Sequence, residues 1–294
     1  MLSLIIPVFN EEEAIEPTVR SLHRILSGQA MPWEILVIDD GSTDATPQIL
    51  ARHTLSGVTV ITHPQNLGNG AAIKTGISRS AGDILATVDA DGTYPLEDFP
   101  RLFREMTDTG ADMIVGARPA NAAHIPLIQQ IAKAVLIGLA QYLTECRIPD
   151  LNSGMRIFRR TLAERFLHLY PQRFSFHITI TLGALVNGFL VRFSSIAYNP
   201  RVGKSKLTAG IGGITNFLRF GHIILRIVSY FRPLRFFLWP AGILLACGLA
   251  LMASTMFGAG SAMLVWGAAL LLASFQVGLC GVLAELTVRM RQAR

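Results

Sequence analysis

Acidic residues all but vanish from the last third of this 294-residue chain. Positions 201–294 hold ten Lys/Arg and one acid, Glu285, whereas 1–200 hold 16 Lys/Arg and 19 Asp/Glu. Charge of either sign is missing from the 49 positions 236–284. Cysteine is scarce: Cys146, Cys247 and Cys280, with no CxxC pair, which argues against a disulfide framework and against a zinc site. The body lacks a basic stripe with interleaved aromatics, which argues against nucleic acid as the partner. The start, MLSLIIPVFNEEE, lacks the basic flank and cleavage pattern of a signal peptide, so a body that is not exported is expected. What remains is a mildly acidic body joined to a basic, apolar tail, a balance that suits a membrane surface.

The tail defines itself by length. A single helix over 49 residues would reach about 73 Å, more than twice the hydrocarbon core. A turn at Gly258-Ala-Gly-Ser261 divides it into two spans, 236–257 and 262–286, each long enough to cross. Arg232 and Arg235 precede the first span, Arg289, Arg291 and Arg294 follow the second, and the turn between carries no cation. Positive-inside bias then puts both chain ends and the body in the cytoplasm, as in a bacterial inner-membrane protein. Residues 211–232 mix Ile, Leu and Phe with Arg219, Arg226 and Arg232, the composition of a helix lying in the interface. A buried hairpin of a soluble protein is the alternative.

The body alternates apolar runs with helical stretches. Strands are expected at 2–9, 34–38, 57–62, 84–88, 111–116 and 190–196, with a further element starting at 157–160. Helices are expected after Asn10 and the acidic run Glu11-Glu12-Glu13, after Asp44 as a cap, and over 68–80, 95–109, 123–145 and 174–188. That alternation implies right-handed βαβ units and a parallel sheet.

The stretch DILATVDADGTYP, 83–95, stands out. An uncharged strand ends in Asp89-Ala90-Asp91-Gly92, so two carboxylates spaced two apart can converge where ligands of open α/β sheets sit. Mg²⁺ takes one or two carboxylates plus substrate phosphates, so the pair reads as a metal–diphosphate site. It also reads as a solvated turn. Gly68–Thr75 nearly matches a phosphate loop, but Ile73 stands where GxxxxGK[ST] and GxGxxG need glycine. An ATPase and a Rossmann dehydrogenase are thereby rejected, while Lys74 can still reach a phosphate or solvent. The loop at 199–206 carries Arg201, Lys204 and Lys206 within six residues, suited to a polyanion or to solvent.

Taken together, the chain resembles the family 2 glycosyltransferases of GT-A fold, in their polyprenyl-phosphate (dolichol-phosphate mannose synthase-like) branch. The matching segments are IIPVFNEE at 5–12, VIDDGSTDAT at 37–46, NLGNGAAIKTG at 66–76, GDILATVDADGTYP at 82–95, VGAR at 115–118, DLNSGMRIFRR at 150–160 and RVGKSKL at 201–207. The resemblance implies an α/β, Rossmann-like, mostly parallel GT-A domain over 1–207. Juxtamembrane amphipathic helices over 208–235 and a two-span hairpin over 236–294 would follow. It implies that Pro7, Val8, Asn10 and Glu11 line the nucleotide pocket, with Ala90 and Lys74 beside the nucleotide-sugar. Asp39 and Asp40 would bond the base and ribose of a UDP- or GDP-linked donor. Asp89 and Asp91 correspond to the DxD pair that holds Mg²⁺ or Mn²⁺. Arg118 and Arg201 would clamp phosphates, and Lys133, Asn152, Ser153 and Lys204 would border the acceptor phosphate.

Two departures bear on mechanism. Gln129 and Gln130 stand where relatives often have basic residues, with Lys133 the compensating cation. His177, Thr179 and Thr181 stand where an acid is often found. A hydroxyl acceptor needs a general base, whereas a polyprenyl phosphate is already an anion, so the missing acid fits the phosphate. Direct displacement with inversion is implied by the family, and His177 is expected to pack or to bind sugar hydroxyls. The alternatives are a transferase with a sugar or glycolipid hydroxyl as acceptor, and a non-catalytic nucleotide-sugar-binding scaffold. Whether the chain forms a homo-oligomer stays open.

Overall fold

The computed structural model describes all residues except 53–54, 120–133, 135–136, 143, 173–175, 200–232, 256–259 and 293–294. They group into two compact units, one within 1–221 and one within 222–294. The first is built on a seven-stranded sheet: β1 Leu2–Val8, β2 Trp33–Asp39, β3 Val58–Thr62, β4 Ile84–Thr87, β5 Met113–Ala117, β6 Arg156–Arg159 and β7 Val191–Ser195, in the order β3-β2-β1-β4-β6-β5-β7. Every residue of β1 is buried, as an uncharged central strand covered on both faces must be. Its Leu2, Leu4, Ile6 and Val8 pack with Ile15, Val19 and Leu22 of α1 (Ile15–Ser27) and with Phe99, Leu102 and Met106 of α4 (Phe99–Thr109). On the opposite face Ile5 meets Gly76 of α3 (Asn69–Arg79), where any Cβ would overlap the isoleucine. The short α2 (Thr46–Ala51) links β2 to β3.

The sheet is mostly parallel, as the resemblance implies, and one strand departs from the fully parallel sheet that the alternation alone suggests. β6 runs antiparallel to both neighbours, pairing Thr87 and Val115 with Arg156. The reason is the excursion before it. β5 ends at Ala117 on the carboxyl edge, and β6 starts at Arg156 on that same edge. The next strand therefore starts where the last one stopped, and residues 118–155 begin and end on the edge where ligands of such sheets sit. Helices α5 (Arg160–Arg165) and α6 (Phe176–Val186) then lead to β7, parallel to β5.

Two helix starts also differ from expectation. α1 begins at Ile15, because Glu11 to Glu13 form the preceding turn: the Glu11 carbonyl accepts the N–H groups of Ala14 and Ile15. The segment expected as one helix at 95–109 is a short 3-10 turn, Leu96–Asp98, followed by α4. Asp44 lies one residue ahead of the α2 cap position and accepts the Thr46 N–H at 3.0 Å. Most of the expected helix at 123–145 and the whole interfacial segment at 211–232 lie outside the described residues.

The second unit is a pair of antiparallel helices, α7 (Pro233–Thr255) and α8 (Ala262–Gln292), both long and apolar enough to cross a membrane. They meet through small residues. A Cβ on Gly248 would come within 3.0 Å of the Gly267 carbonyl, and one on Gly267 within 2.6 Å of Met252. Ser274 Oγ donates to the Ala241 carbonyl at 2.8 Å. Such close backbone approach is how helices associate where lipid offers no hydrophobic drive. The outward faces carry Trp239, Ile243, Val265, Trp266 and Phe275, all exposed. That surface matches lipid rather than water.

Candidate functional site

The chemistry gathers at the carboxyl ends of β2, β1 and β4, three neighbouring parallel strands. Two loops are laced together there. Asn10, at a positive φ of 53°, accepts the Thr43 N–H on Oδ1 at 2.7 Å, and its own N–H donates to Ser42 Oγ at 2.9 Å. Glu11 N–H donates to Thr46 Oγ1 at 3.0 Å, and Glu12 Oε2 accepts the Ala45 N–H at 2.8 Å. Pro7 and Val8 pair with Ile38 and Asp39, so these four lie side by side in the sheet.

Asp39 and Asp40 look alike in sequence and differ in the fold. Asp39 is fully buried: Oδ1 accepts the Ser42 N–H at 3.0 Å, and Oδ2 has no partner. Asp40 spends its carboxylate on the protein. It accepts from His63 Nδ1 at 2.7 Å and from the N–H groups of Leu67 and Gly68 at 3.0 and 2.7 Å. Gly68, at φ 105°, opens α3, so Asp40 holds that helix start in place. Lys74, further along α3, donates to the Tyr170 carbonyl at 3.3 Å.

Asp89, Ala90 and Asp91 follow β4. Asp91 Oδ1 accepts the Thr93 N–H and hydroxyl at 3.2 and 2.6 Å, and the Ala90 carbonyl faces Thr18 Oγ1 at 3.4 Å. The Asp89 carboxylate lies against Gly154 so closely that a Cβ there would overlap it. Gly154 cannot retreat: its N–H donates to the Tyr94 hydroxyl at 2.6 Å, and its carbonyl accepts from Thr87 Oγ1 at 2.9 Å. The two aspartates, both partly exposed, are hard oxygen donors suited to a divalent cation. Among the described residues no group of three or more His, Cys, Asp or Glu could hold a metal. A cation here would therefore be completed by ligand oxygens, as Mg²⁺ sites commonly are.

Behind this pair sit two guanidiniums. Arg118 meets Asp150 in a fork, Nε to Oδ2 at 2.7 Å and Nη2 to Oδ1 at 3.0 Å, while the Tyr198 ring lies 5.4 Å from its Cζ. Burial opposes the charge on both partners, but the paired hydrogen bonds and mutual attraction win. Asp150 is held below the usual carboxylate range and Arg118 above its ordinary value. Arg156 is fully buried and bonded to neutral oxygens: the Ser153 carbonyl, the His177 carbonyl at 2.9 Å and Thr181 Oγ1 at 2.8 Å. Burial lowers its pKa to about 10, so it stays charged at neutral pH. Burial first, then the charges of Arg156 and Arg118, push His177 well below the ordinary imidazole value. Tyr94 is pushed up, by burial and then by the Asp89 charge.

The fold thus brings Asp89, Asp91, Arg118, Asn152 and Ser153 to the carboxyl edge that also holds Asn10, Glu11 and Asp39. Lys133, Arg201 and Lys204 lie outside the described residues. Sequence reasoning gave no role to Asp150, Tyr94, Gly154, Arg156 or Tyr198. Asp150, Gly154 and Arg156 all stand in the DLNSGMRIFRR segment, whose polar residues around one glycine were the available signal.

Comparison with known proteins now bears on this geometry. The model of the family described as Glycosyl transferase family 2 matches residues 3–167. An uncharacterized glycosyltransferase of Mycobacterium tuberculosis is 30% identical over 226 residues, covering 76% of this chain and 97% of the relative. The undecaprenyl-phosphate 4-deoxy-4-formamido-L-arabinose transferase of Salmonella choleraesuis is 31% identical over 174 residues, 58% of this chain and 52% of that protein. Among solved structures, glucosyl-3-phosphoglycerate synthase from Mycobacterium tuberculosis, in complex with Mn²⁺, UDP and phosphoglyceric acid, superposes with a TM-score of 0.60. It is 19% identical, and the match covers 78% of each chain. That likeness establishes the GT-A fold.

Proposed function

Because the chain belongs to glycosyl transferase family 2, we propose that it moves a sugar from a nucleotide-sugar to a polyprenyl phosphate at the cytoplasmic face of a membrane. The observation that carries this reading is the partnerless oxygen of buried Asp39 on the same sheet edge as Asp89 and Asp91. An orphaned carboxylate oxygen calls for a donor, which the ring N–H of a uracil or guanine supplies. The base then lies over β2 and the diphosphate over β4, with Pro7, Val8, Asn10 and Glu11 between. Asp40 keeps its three protein donors and acts by positioning α3.

A divalent ion, Mg²⁺ or Mn²⁺, held by Asp89 and Asp91 would neutralise charge on the departing nucleoside diphosphate. Mn²⁺ and UDP in the solved synthase support that assignment. Tyr94 and Gly154 hold the Asp89 carboxylate in place. Arg118 has Nε and Nη2 committed to Asp150, so it meets a phosphate through Nη1, while Arg201, Lys204 and Lys133 supply cations for the acceptor. Asn152 borders it. An acceptor phosphate oxygen attacks the anomeric carbon, the bond from that carbon to the diphosphate oxygen breaks, and the configuration inverts. No proton has to be removed from the nucleophile. That suits a site where His177 is held neutral and is a poor base. The Salmonella relative, named for transfer involving undecaprenyl phosphate, and the two apolar helices support a lipid acceptor.

The test uses purified full-length protein in detergent, nucleotide-sugars, Mn²⁺ and a polyprenyl phosphate. The expected product is cleaved by mild acid, as a glycosyl phosphate is. Asp91→Ala is expected to abolish turnover with the fold retained. An acid-stable product would point to a hydroxyl acceptor, and unchanged turnover by the variant would remove the metal assignment.

A further inference from the structure

We propose that Ser153 and His177 are specificity residues for the transferred sugar, their Oγ and Nε2 bonding neutral hydroxyls of the donor's glycosyl group. The inference rests on the nucleotide-sugar reading above. Its starting point is Arg156, whose guanidinium clasps the Ser153 carbonyl from Nε at 3.0 Å and from Nη2 at 2.5 Å, and the His177 carbonyl from Nη1 at 2.9 Å. One rigid cation therefore fixes the 150–155 loop and the first turn of α6 on its two sides. The side chains so placed keep hydrogen-bonding capacity to spare. Ser153 is 0% exposed and His177 7%; His177 Nε2 has no hydrogen-bond partner, and Ser153 Oγ has the Tyr94 hydroxyl as its neighbour.

A buried polar atom without a partner is costly, and native proteins rarely keep one without a use. The location of Ser153 and His177 supplies the use. Ser153 adjoins Gly154, which lies directly against the Asp89 carboxylate, so the pair stands beside the proposed diphosphate site. Their chemistry narrows the ligand. A serine hydroxyl and an imidazole kept neutral by burial and by two nearby guanidiniums are weak partners for a phosphate. They match sugar hydroxyls, each of which both donates and accepts. The base and its ribose lie toward Asp39 over β2, the diphosphate has the cation site, and a polyprenyl chain carries no hydroxyl. The glycosyl group is the part of the substrates left to be recognised.

The test is calorimetric titration of the detergent-solubilised full chain, with Mn²⁺, using UDP, GDP and their common sugar conjugates. The quantity read is the ratio of affinity for the conjugate to affinity for the bare diphosphate. In Ser153→Ala and His177→Phe that ratio is expected to fall tenfold or more, with diphosphate affinity held within twofold. Because His177 Nε2 has no partner in the folded protein, His177→Phe is expected to leave the ligand-free melting temperature unchanged or raised. Weaker sugar binding without lost stability is a combination that a packing role does not produce. The inference is overturned if the ratio is unchanged, if both affinities fall by the same factor, or if the wild type gains nothing from the sugar. Wild-type protein that binds no nucleoside diphosphate at all would instead sink the nucleotide-sugar reading, and this inference with it.

Discussion

Asp150→Ala is the perturbation whose size the structure sets most directly. Asp150 accepts four hydrogen bonds: Arg118 Nε at 2.7 Å, Arg118 Nη2 at 3.0 Å, the Arg118 N–H at 3.2 Å and the Asn152 N–H at 3.1 Å. Its side chain is 6% exposed and that of Arg118 23%. Truncation strands a largely buried guanidinium and two backbone donors, and the neighbouring Arg156 adds repulsion in place of relief. Breaking a buried pair from one side costs about 3–5 kcal/mol. For a protein of this size that lowers the melting temperature by on the order of 10 °C. The assay is thermal unfolding of the detergent-solubilised protein. Arg118→Met with Asp150→Leu is expected to lose much less than Asp150→Ala alone, because no charge is then left unpaired. The pH dependence has a definite sign. A carboxylate whose folded pKa lies below its unfolded value stabilises above the unfolded value, about 3.9. That contribution disappears as pH falls through the folded value. The gap between wild type and Asp150→Ala should thus be constant at neutral pH and close only in strong acid. An Asp150→Ala protein that melts within about 3 °C of wild type, a difference of roughly 1 kcal/mol, would refute the claim that this pair holds the loop to β5.

Two further outcomes follow from clearances. Gly154→Ala forces the Asp89 carboxylate aside, since Gly154 is pinned by Tyr94 and Thr87. Overpacking of about 1–3 kcal/mol would weaken Mn²⁺ binding roughly five- to 150-fold, read by electron paramagnetic resonance of free Mn²⁺ with UDP present; unchanged affinity would separate Gly154 from the cation site. In the hairpin, Gly267→Leu collides with Met252 and the Gly248 carbonyl, whereas a Cβ at Gly242 meets nothing within 4 Å. Gly267→Leu should therefore lower resistance to unfolding in denaturing detergent, and Gly242→Leu should not, both followed by the fluorescence of Trp239 and Trp266.

What could be read in advance was whatever depends on near neighbours in the chain. The apolar run 84–88 ending in two aspartates needs only the strand period and the carboxyl-edge rule, and the structure puts Asp89 and Asp91 at that edge. The hairpin needs only the length of an uncharged run and a turn. The remainder depends on pairings that no local pattern encodes. Arg118 reads as an unengaged phosphate clamp until Asp150, 32 positions on, folds back onto it. Gly154 reads as a turn residue, and its importance lies in the space it leaves for an aspartate 65 positions earlier. Asp39 and Asp40 are chemically identical neighbours. Only the placement of His63, Leu67 and Gly68 shows that one is spent on the fold and the other keeps an oxygen unpaired. One cause underlies the first two: β6 runs against the sheet because the chain turns back at the carboxyl edge, and strand propensity carries no direction. That reversal brings Asp150, Ser153, Gly154 and Arg156 behind the aspartates of β4. An isolated DxD turn would be a solvated loop; buttressed by that returning segment, it becomes a carboxylate held at a fixed position with buried cations behind it.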